Sequence, residues 1–215
     1  MRYLVDFDDS HDGLRSLLEG LVAAGHATRL EAGAGRGFGG GAALVLGGAR
    51  SGKSTWAEAQ FADVAVVDYV ATSIVDDSDG EWSERVALHR ARRPATWRTV
   101  ETLDLEAVLA AADEAPVLVD CLALWLDRVL TEVGAWDDAD GWRDRLDVRV
   151  AGLVAAVAAT RRDVILVSNE VGSGLVPGTA VERLYRADLG RLNSRIAAAC
   201  REVWLCVAGV ATRLR

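Results

Sequence analysis

The sequence predicts an α/β fold, with a mostly parallel β-sheet flanked by helices. Short apolar runs alternate with helical patterns from residue 42 onward, which is typical of β-α units around a parallel sheet. The first run leads directly into the pattern G-x-x-x-x-G-K-S over residues 47–54, which indicates a phosphate-binding loop when it joins a strand to a helix. The 215 residues, 51% of them hydrophobic, suffice for one sizeable core but not for two full domains. We therefore expect one domain of the P-loop NTPase type.

Residues 1–41 differ in character from the rest and are predicted as an N-terminal extension. Several aspartates lie near its start. Residues 14–24 could form one short helix, and residues 33–41 are predicted to be a flexible glycine-rich linker. The segment before the linker is open to three interpretations: a docked helix, a fragment of a lost domain or an overlong start. No chemistry is assigned to it, and the domain proper is predicted over residues 42–215.

The elements of this domain follow from its apolar runs and helical periodicity. Strands are predicted at 42–47, 65–71, 97–101, 116–120, 163–168 and 202–208. Helices are predicted at 53–61, 81–92, 104–112, 121–132, 140–160 and 179–199. Pro94 restricts the residue before it away from helical dihedral angles, so the second helix should end near Arg92.

Charge and composition exclude several classes of partner. A net charge of −8 and a pI near 4.9 argue against nucleic acid or an anionic membrane surface as partner. Three cysteines without C-x-x-C spacing indicate neither a disulfide framework nor a zinc site, and suggest buried free thiols. The sequence has no apolar run long enough to span a membrane and no secretory signal pattern. A soluble, cytoplasmic protein is expected.

The phosphate-binding loop contains Lys53, the one lysine among 24 basic residues. An ammonium group is compact and fits among phosphate oxygens where a planar guanidinium does not. Backbone amides over residues 48–54 would surround the phosphates at a helix amino terminus. Lys53 is expected to contact the β- and γ-phosphates, and the Ser54 hydroxyl is expected to bind Mg²⁺. The alternative, a glycine turn without a ligand, requires the whole pattern to match by coincidence.

Asp120 is the candidate for a second metal ligand. It ends the apolar run Val117 to Val119, as the acidic metal residue of a P-loop enzyme does. The alternative is that Asp120 caps the following helix, since aspartate is favoured at that position in any protein. A regulatory GTPase is not indicated, because the N-K-x-D element that reads guanine needs a second lysine.

His89 is the one histidine outside the N-terminal extension, and it lies among arginines. Arg85 and Arg93 are each four residues away and share its helix face. Such a patch can hold phosphates while an unprotonated imidazole nitrogen attacks one of them. Neighbouring arginines disfavour the imidazolium, and a helix carboxyl terminus favours it. The alternative is a solvated basic helix end that pairs with glutamates, of which Glu81, Glu84 and Glu101 are available.

Several further segments occur in a specific order along the chain. They are YVATS at 69–73, the pair Asp76-Asp77, RVALHRARRPATWRTVE at 85–101, VLVDCL around Asp120, SNEVGSGLVP at 168–177, RADLGRLNSRIA at 186–197 and VWLCVAGV after it. Together with the phosphate-binding loop, this ordered set resembles the bifunctional adenosylcobinamide kinase and adenosylcobinamide-phosphate guanylyltransferase family of cobalamin assembly. The resemblance covers about residues 43–215.

The resemblance implies an activity and a set of site residues. Members phosphorylate the aminopropanol hydroxyl of adenosylcobinamide with ATP or GTP and then transfer GMP from GTP to that phosphate, releasing pyrophosphate. His89 matches the histidine that members guanylylate, with Lys53 serving the kinase step. The nucleotide-binding residues so implied are Gly47, Gly48, Ala49, Arg50, Ser51, Gly52, Lys53, Ser54, Ala71, Thr72, Ser73, Arg90, Ala91, Arg92, Arg93, Glu101 and Asp120, with Ser54 and Asp120 as Mg²⁺ ligands.

The resemblance also implies a RecA-like sheet, mainly parallel with one antiparallel strand near the end, and a homotrimer. Two features depart from the family pattern: residues 1–41 lie outside the match, and Asp120 stands where many members carry glutamate. The SNEVGSG segment is either a substrate loop or a plain glycine-rich turn. Two competing functions remain: a P-loop kinase of another small alcohol without guanylyl transfer, and a nucleotide-binding ATPase or assembly module.

Overall fold

The structure is a computed structural model that describes residues 37–73 and 93–215. The chain divides into two compact units, Met1–Gly39 and Gly40–Arg215, and all described helices and strands belong to the second. The predicted helices at 14–24 and 81–92 lie outside the described residues. The proposed boundary at residues 41 and 42 remains a prediction.

The described elements alternate between strands and helices along the chain. The strands are β1 (Ala42–Gly47), β2 (Asp68–Ala71), β3 (Arg98–Glu101), β4 (Val117–Asp120), β5 (Val164–Asn169), β6 (Glu202–Val207) and β7 (Val210–Arg213). The helices are α1 (Lys53–Gln60), α2 (Leu105–Ala110), α3 (Leu122–Glu132), α4 (Trp142–Ala159) and α5 (Ala180–Ala199), with a short 3₁₀ helix at Ala135–Asp137.

All seven strands form one sheet in the order β3-β2-β4-β5-β1-β6-β7. Every neighbouring pair is parallel except β6 and β7, which are antiparallel. The strand β5 separates β1, which leads into the phosphate-binding loop, from β4, which ends at Asp120. The predicted fold class, a mostly parallel sheet with one antiparallel strand near the C-terminus, is confirmed. No described helix combines the length and apolar character that a membrane span requires.

The central strands β4 and β5 each begin with a continuous buried apolar run and end in polar residues. In β4, Val117, Leu118 and Val119 are completely buried, and the first four residues of β5 are equally so. Parallel strands flanked by helices on both sides carry such continuous apolar runs instead of an alternating pattern. This explains why the runs identified the strands from sequence.

The structure differs from the sequence prediction mainly at the ends of elements. The second strand begins at Asp68 instead of residue 65, and Val66 before it is 40% exposed. Helix α2 ends at Ala110 because Ala111 has an extended backbone, with ψ of 138°. The seventh strand, β7, was not among the six strands located from apolar runs. It follows a two-residue turn in which Ala208 and Gly209 both have positive φ, as in a type I′ hairpin.

Two arginines pair with the buried Asp68 at the amino-terminal edge of the sheet. The Arg162 guanidinium, 5% exposed, donates a 2.5 Å hydrogen bond to Oδ2 of Asp68, which is 7% exposed. The same guanidinium donates to the backbone oxygens of Ala115 and Val108. Arg98 donates a 2.6 Å hydrogen bond to the other carboxylate oxygen of Asp68. Asp68 therefore has a charged partner on each of its oxygens.

Candidate active site

The phosphate-binding loop joins the end of β1 to the start of α1, as its pattern predicts. Gly47 is the last residue of β1, and α1 begins at Lys53. Gly52, at the helix amino terminus, has φ of 90° and no side chain caps the helix. The first backbone N–H groups of a helix have no partner within it, and the helix dipole favours an anion there. The geometry is that of an anion site.

Gly47 is required by the close return of the loop onto the strand. A Cβ at this position would lie 2.3 Å from Oγ of Ser51 and 2.7 Å from the backbone oxygen of Cys206. Both distances are shorter than any normal contact, so no other residue fits without moving the backbone of β6 or the loop. Gly48, Ala49 and Arg50 then form the exposed outer part of the loop, with Arg50 at φ of 55°.

Lys53 and Ser51 turn their polar groups into the loop. The Lys53 side chain is mostly buried, and its Nζ donates a 3.2 Å hydrogen bond to the backbone oxygen of Gly48. Oγ of Ser51 is buried and has no hydrogen-bond partner among the described residues. A buried hydroxyl without a partner costs about 1–3 kcal/mol. A phosphate oxygen bound in the loop would provide the missing acceptor.

The hairpin between β6 and β7 supports the loop from outside. The backbone N–H of Gly209, at the hairpin tip, donates a 3.0 Å hydrogen bond to the backbone oxygen of Ser51. A Cβ on Gly52 would lie 3.0 Å from Cα of Gly209. Sequence reasoning missed this support, because Ala208-Gly209 is not one of the dipeptides that signal a two-residue hairpin turn.

Three predicted site residues lie side by side at the carboxyl edge of the sheet. Ala71 at the end of β2 pairs with Glu101 of β3 on one side and with Asp120 of β4 on the other. Thr72 and Ser73 follow Ala71 directly. The structure thus brings together residues that lie up to 49 positions apart in the sequence, as 71 and 120 do. Gly47 ends the strand β1 at the same edge, two strands away from β4.

Asp120 is held by a tyrosine that sequence reasoning did not identify. The Tyr69 hydroxyl donates a 3.0 Å hydrogen bond to Oδ2 of Asp120. Burial, and secondarily the Asp120 carboxylate, raise the pKa of Tyr69 far above its usual value, so the phenol remains a donor. The Arg93 guanidinium stacks on the Tyr69 ring, 3.6 Å from its centre. The alternative role of Asp120 as a helix cap is wrong, because the N-cap of α3 is Cys121.

Thr72 joins the end of β2 to the start of α3. Its hydroxyl donates a 2.7 Å hydrogen bond to the backbone oxygen of Cys121 and accepts a 3.1 Å hydrogen bond from the backbone N–H of the same residue. The side chain is almost completely buried. These bonds hold the segment after Ala71 against the segment after Asp120. The predicted contact of Thr72 with a nucleotide remains a prediction.

Ser54 and Asp120 provide the chemistry that a magnesium site requires. Both side chains offer hard oxygen atoms and both are partly accessible. No described group of three or more His, Cys, Asp or Glu side chains forms a closed metal cage. Mg²⁺ is usually held by one or two protein oxygens, with water and substrate phosphates as the other ligands. This donor set fits Mg²⁺ bound together with a nucleotide.

The second half of the predicted site is only partly described. His89, Arg90, Ala91 and Arg92, together with the pair Asp76-Asp77, lie outside the described residues. Arg93 is described, and its stacking on Tyr69 places it beside the ring that bonds Asp120. Of the predicted basic cluster, the described residue Arg93 thus shares Tyr69 as a neighbour with Asp120.

The chain is similar to known proteins over most of its length. The family model described as cobinamide kinase / cobinamide phosphate guanyltransferase matches residues 43–214. The bifunctional adenosylcobalamin biosynthesis protein CobU of Escherichia coli K12 is 40% identical over 181 residues, covering 80% of this chain and 98% of the relative. The protein of the same name from Salmonella typhimurium has the same identity and coverage. The bifunctional adenosylcobalamin biosynthesis protein CobP of Pseudomonas aeruginosa is 43% identical over 176 residues, covering 80% of this chain and 96% of the relative.

Proposed function

The chain belongs to the cobinamide kinase / cobinamide phosphate guanyltransferase family. On that premise we propose which of its residues act in each of the two transfer reactions. The enzyme phosphorylates adenosylcobinamide and then transfers GMP from GTP to the new phosphate. One observation carries the assignment of the first step: the buried Lys53 lies in a loop at the amino terminus of α1, at the same sheet edge as Asp120.

In the kinase step, the loop amides and Lys53 bind the triphosphate, which ATP or GTP supplies. The aminopropanol hydroxyl of adenosylcobinamide attacks the γ-phosphorus and loses its proton to solvent. The bond from that phosphorus to the bridging oxygen breaks, and a nucleoside diphosphate leaves. Charge spreads over the transferred group and the leaving oxygen, and Lys53 with the helix amino terminus stabilises it. The Ser51 hydroxyl donates to a phosphate oxygen in this arrangement, which satisfies its buried polar atom.

Ser54 and Asp120 would hold the magnesium ion of the nucleotide. When bound, Mg²⁺ neutralises charge on the β- and γ-phosphate oxygens. The hydrogen bond from Tyr69 occupies Oδ2 of Asp120 and leaves Oδ1 as the oxygen that faces a ligand. Tyr69 is therefore a positioning residue for the carboxylate.

In the second step, His89 is the nucleophile. An unprotonated ring nitrogen attacks the α-phosphorus of GTP, a nitrogen–phosphorus bond forms, and pyrophosphate leaves. An oxygen of adenosylcobinamide phosphate then attacks the same phosphorus and releases the imidazole, giving adenosylcobinamide-GDP. Arginines at positions 90, 92 and 93 would balance the phosphate charge, with Ala91 and Glu101 lining the guanine nucleotide pocket. The contact of Arg93 with Tyr69 supports this role, since it brings the segment's end to the Asp120 side of the sheet.

We further propose that the chain assembles as a homotrimer, as the family resemblance implies. Static light scattering on the purified protein measures this directly. A molar mass of about three times the 22.9 kDa of one chain is expected, and a monomer or dimer would contradict the proposal.

Covalent labelling tests the guanylyl transfer. The protein is incubated with GTP labelled at the α-phosphate, without a corrinoid, and then precipitated. Label should remain bound in an acid-labile, base-stable form, as a phosphoramidate does. His89→Ala should retain none. His26→Ala, a histidine outside the family match, is the matched control and should retain as much as the parent. Equal retention by the His89→Ala protein would remove His89 from the mechanism.

Substitution of the one lysine tests the kinase step. Lys53→Ala should lower the rate of adenosylcobinamide phosphorylation at least a hundredfold, because one preorganised charge that stabilises the transition state is typically worth that much. Lys53→Arg should fail similarly, since a planar guanidinium does not fit where Nζ lies 3.2 Å from the Gly48 oxygen. An unchanged rate in either protein would contradict the role given to Lys53.

The runner-up function is a P-loop kinase of another small alcohol without guanylyl transfer. It shares the loop geometry and differs in the labelling result. A parent protein that retains no α-phosphate label but phosphorylates an alcohol other than adenosylcobinamide would favour it.

A further inference from the structure

A cleft of about 670 Å³ lies between α3, the loop after β5 and the start of α5. Most of its wall is apolar or aromatic and includes Trp136, Val171, Leu175, Val181 and Tyr185. Its volume falls in the range of about 300–1,000 Å³ that is typical of small-molecule sites. The roles given above to the phosphate-binding loop, Asp120 and His89 do not involve this cleft.

The loop on one side of the cleft exposes large apolar side chains. Leu175 is 95% exposed and Val176 is 77% exposed. The backbone behind them is held: Arg186 donates hydrogen bonds to the oxygens of Leu175 and Gly172, and Arg183 donates to those of Pro177 and Gly178. These bonds hold the loop in a conformation that leaves Leu175 and Val176 facing solvent. Apolar side chains displayed on such a restrained loop are typical of a binding surface.

The chain segments that form the walls of the cleft begin at the same sheet edge as the phosphate-binding loop. Asn169, which ends β5, is in register with Gly47, and the backbone N–H of Glu170 donates a 3.0 Å hydrogen bond to the Gly47 oxygen. The opposite wall, α3, begins two residues after Asp120. The Tyr185 hydroxyl on α5 donates a 2.9 Å hydrogen bond to the backbone oxygen of Ala123 in the first turn of α3. Both walls are therefore anchored to the strands that carry the reaction site.

We propose that this cleft binds the corrin macrocycle of the substrate, with the apolar side chains of the loop contacting a face of the ring. The inference rests on the proposed function. A corrin is a broad, largely apolar ring system with amide groups around its rim and the aminopropanol arm extending from it. Aromatic and aliphatic side chains bind such a face by burial of apolar area.

The polar groups at the border of the cleft match the amide rim of this ligand. Asp127 on α3 is exposed at the cleft and offers carboxylate oxygens to amide N–H groups. Arg186, which also lines the cleft, is already engaged with the loop oxygens and so orders the wall. In the proposed complex the ring lies in the cleft and the aminopropanol arm extends toward the phosphate-binding loop, which follows β1 beside the end of β5.

Substitutions on the loop test the proposal. The variants are Leu175→Ser and the double change Leu175→Ser with Val176→Ser, which alter exposed side chains and so should not impair folding. Leu214→Ser is the matched control, because Leu214 is 58% exposed and lies beyond β7 at the opposite sheet edge. Binding of adenosylcobinamide is measured by equilibrium dialysis read from corrin absorbance, and its KM is measured in the kinase assay.

We expect the dissociation constant and the KM for adenosylcobinamide to rise at least tenfold in the loop variants and to stay unchanged in Leu214→Ser. Retention of α-phosphate label from GTP, which needs no corrinoid, should stay at the parent level in all three proteins. Unchanged corrinoid affinity in an active double variant would overturn the proposal and leave the proposed function standing. A fall in molar mass with unchanged corrinoid affinity would also overturn it, since the loop would then be a subunit contact. A parent protein that neither binds nor phosphorylates adenosylcobinamide would refute the proposed function itself.

Discussion

The Tyr69 hydroxyl lies 3.0 Å from Oδ2 of Asp120, across the pair of neighbouring strands β2 and β4. Burial keeps the pKa of Tyr69 far above its usual value, so the phenol donates a hydrogen bond at every pH at which the protein would be assayed. This bond occupies Oδ2 of Asp120, so Oδ1 is the oxygen that would bind the metal in the proposed magnesium site.

Tyr69→Phe should raise the Mg²⁺ concentration needed for half-maximal kinase activity several-fold, because the carboxylate loses the bond that orients it. The free energy of unfolding should fall by about 1 kcal/mol, the usual worth of one such hydrogen bond. Titration of activity with Mg²⁺ and urea unfolding measure the two effects. Tyr185→Phe is the control: it removes the bond to Ala123 and should cost stability without changing the Mg²⁺ requirement. An unaltered Mg²⁺ requirement in Tyr69→Phe would show that the bond does not position the metal ligand.

Ser51→Ala should stabilise the nucleotide-free protein and weaken nucleotide binding. The buried Ser51 hydroxyl has no described partner, so removing it eliminates a desolvation cost of about 1 kcal/mol. The same change removes a donor to phosphate, and the dissociation constant for ATP or GTP should rise about threefold to tenfold. Thermal unfolding with and without nucleotide measures both effects.

Ser168→Ala is the control for this experiment. The Ser168 hydroxyl is equally buried but donates a 2.7 Å hydrogen bond to Oδ1 of Asn193, so its removal should destabilise the nucleotide-free protein. Loss of stability in Ser51→Ala of the same size as in Ser168→Ala would contradict the prediction.

Asp68→Ala should lower the free energy of unfolding by about 3 kcal/mol, because it leaves the buried Arg162 guanidinium without its charged partner. Asp113→Ala removes the exposed partner of Arg98 and should cost much less stability, because solvent screens an exposed ion pair. Urea unfolding of both variants gives the comparison. Similar losses in the two proteins would show that burial does not strengthen the Asp68 pair.

The protein should lose stability as pH rises above 9. Burial raises the pKa of the Cys121 thiol to about 11 and that of the Cys200 thiol to about 12. The unfolded chain gives up these protons near pH 9 and the folded chain retains them, so the free energy of unfolding falls with pH until each folded pKa is passed. Cys121→Ala should reduce the slope between pH 9 and 11. Unfolding at a series of pH values measures it, and a flat profile in the parent would contradict the prediction.

Local patterns and long-range contacts differ in how far the sequence predicts them. The loop from Gly47 to Ser54 is contiguous, and its strand and helix were located to within one residue because its flanking apolar run is buried on both faces. No continuous apolar run marks the strand β7, because its four residues are half-buried or exposed. The contact between Tyr69 and Asp120 depends on β2 and β4 being neighbours, and no local pattern of residues specifies strand order.

By itself, the sequence determined the fold class, the phosphate-binding loop and the family, since each rests on residues close together in the chain or on an ordered set of short segments. The tertiary structure decided which side chains meet. Tyr69 bonds Asp120, and Cys121 instead of Asp120 is the N-cap of α3. The β6–β7 hairpin packs against the phosphate-binding loop, and the cleft beside Leu175 lies between α3, the loop after β5 and α5. These contacts arise from the pairing and packing of distant segments, where burial and geometry, not spacing along the chain, determine which groups interact.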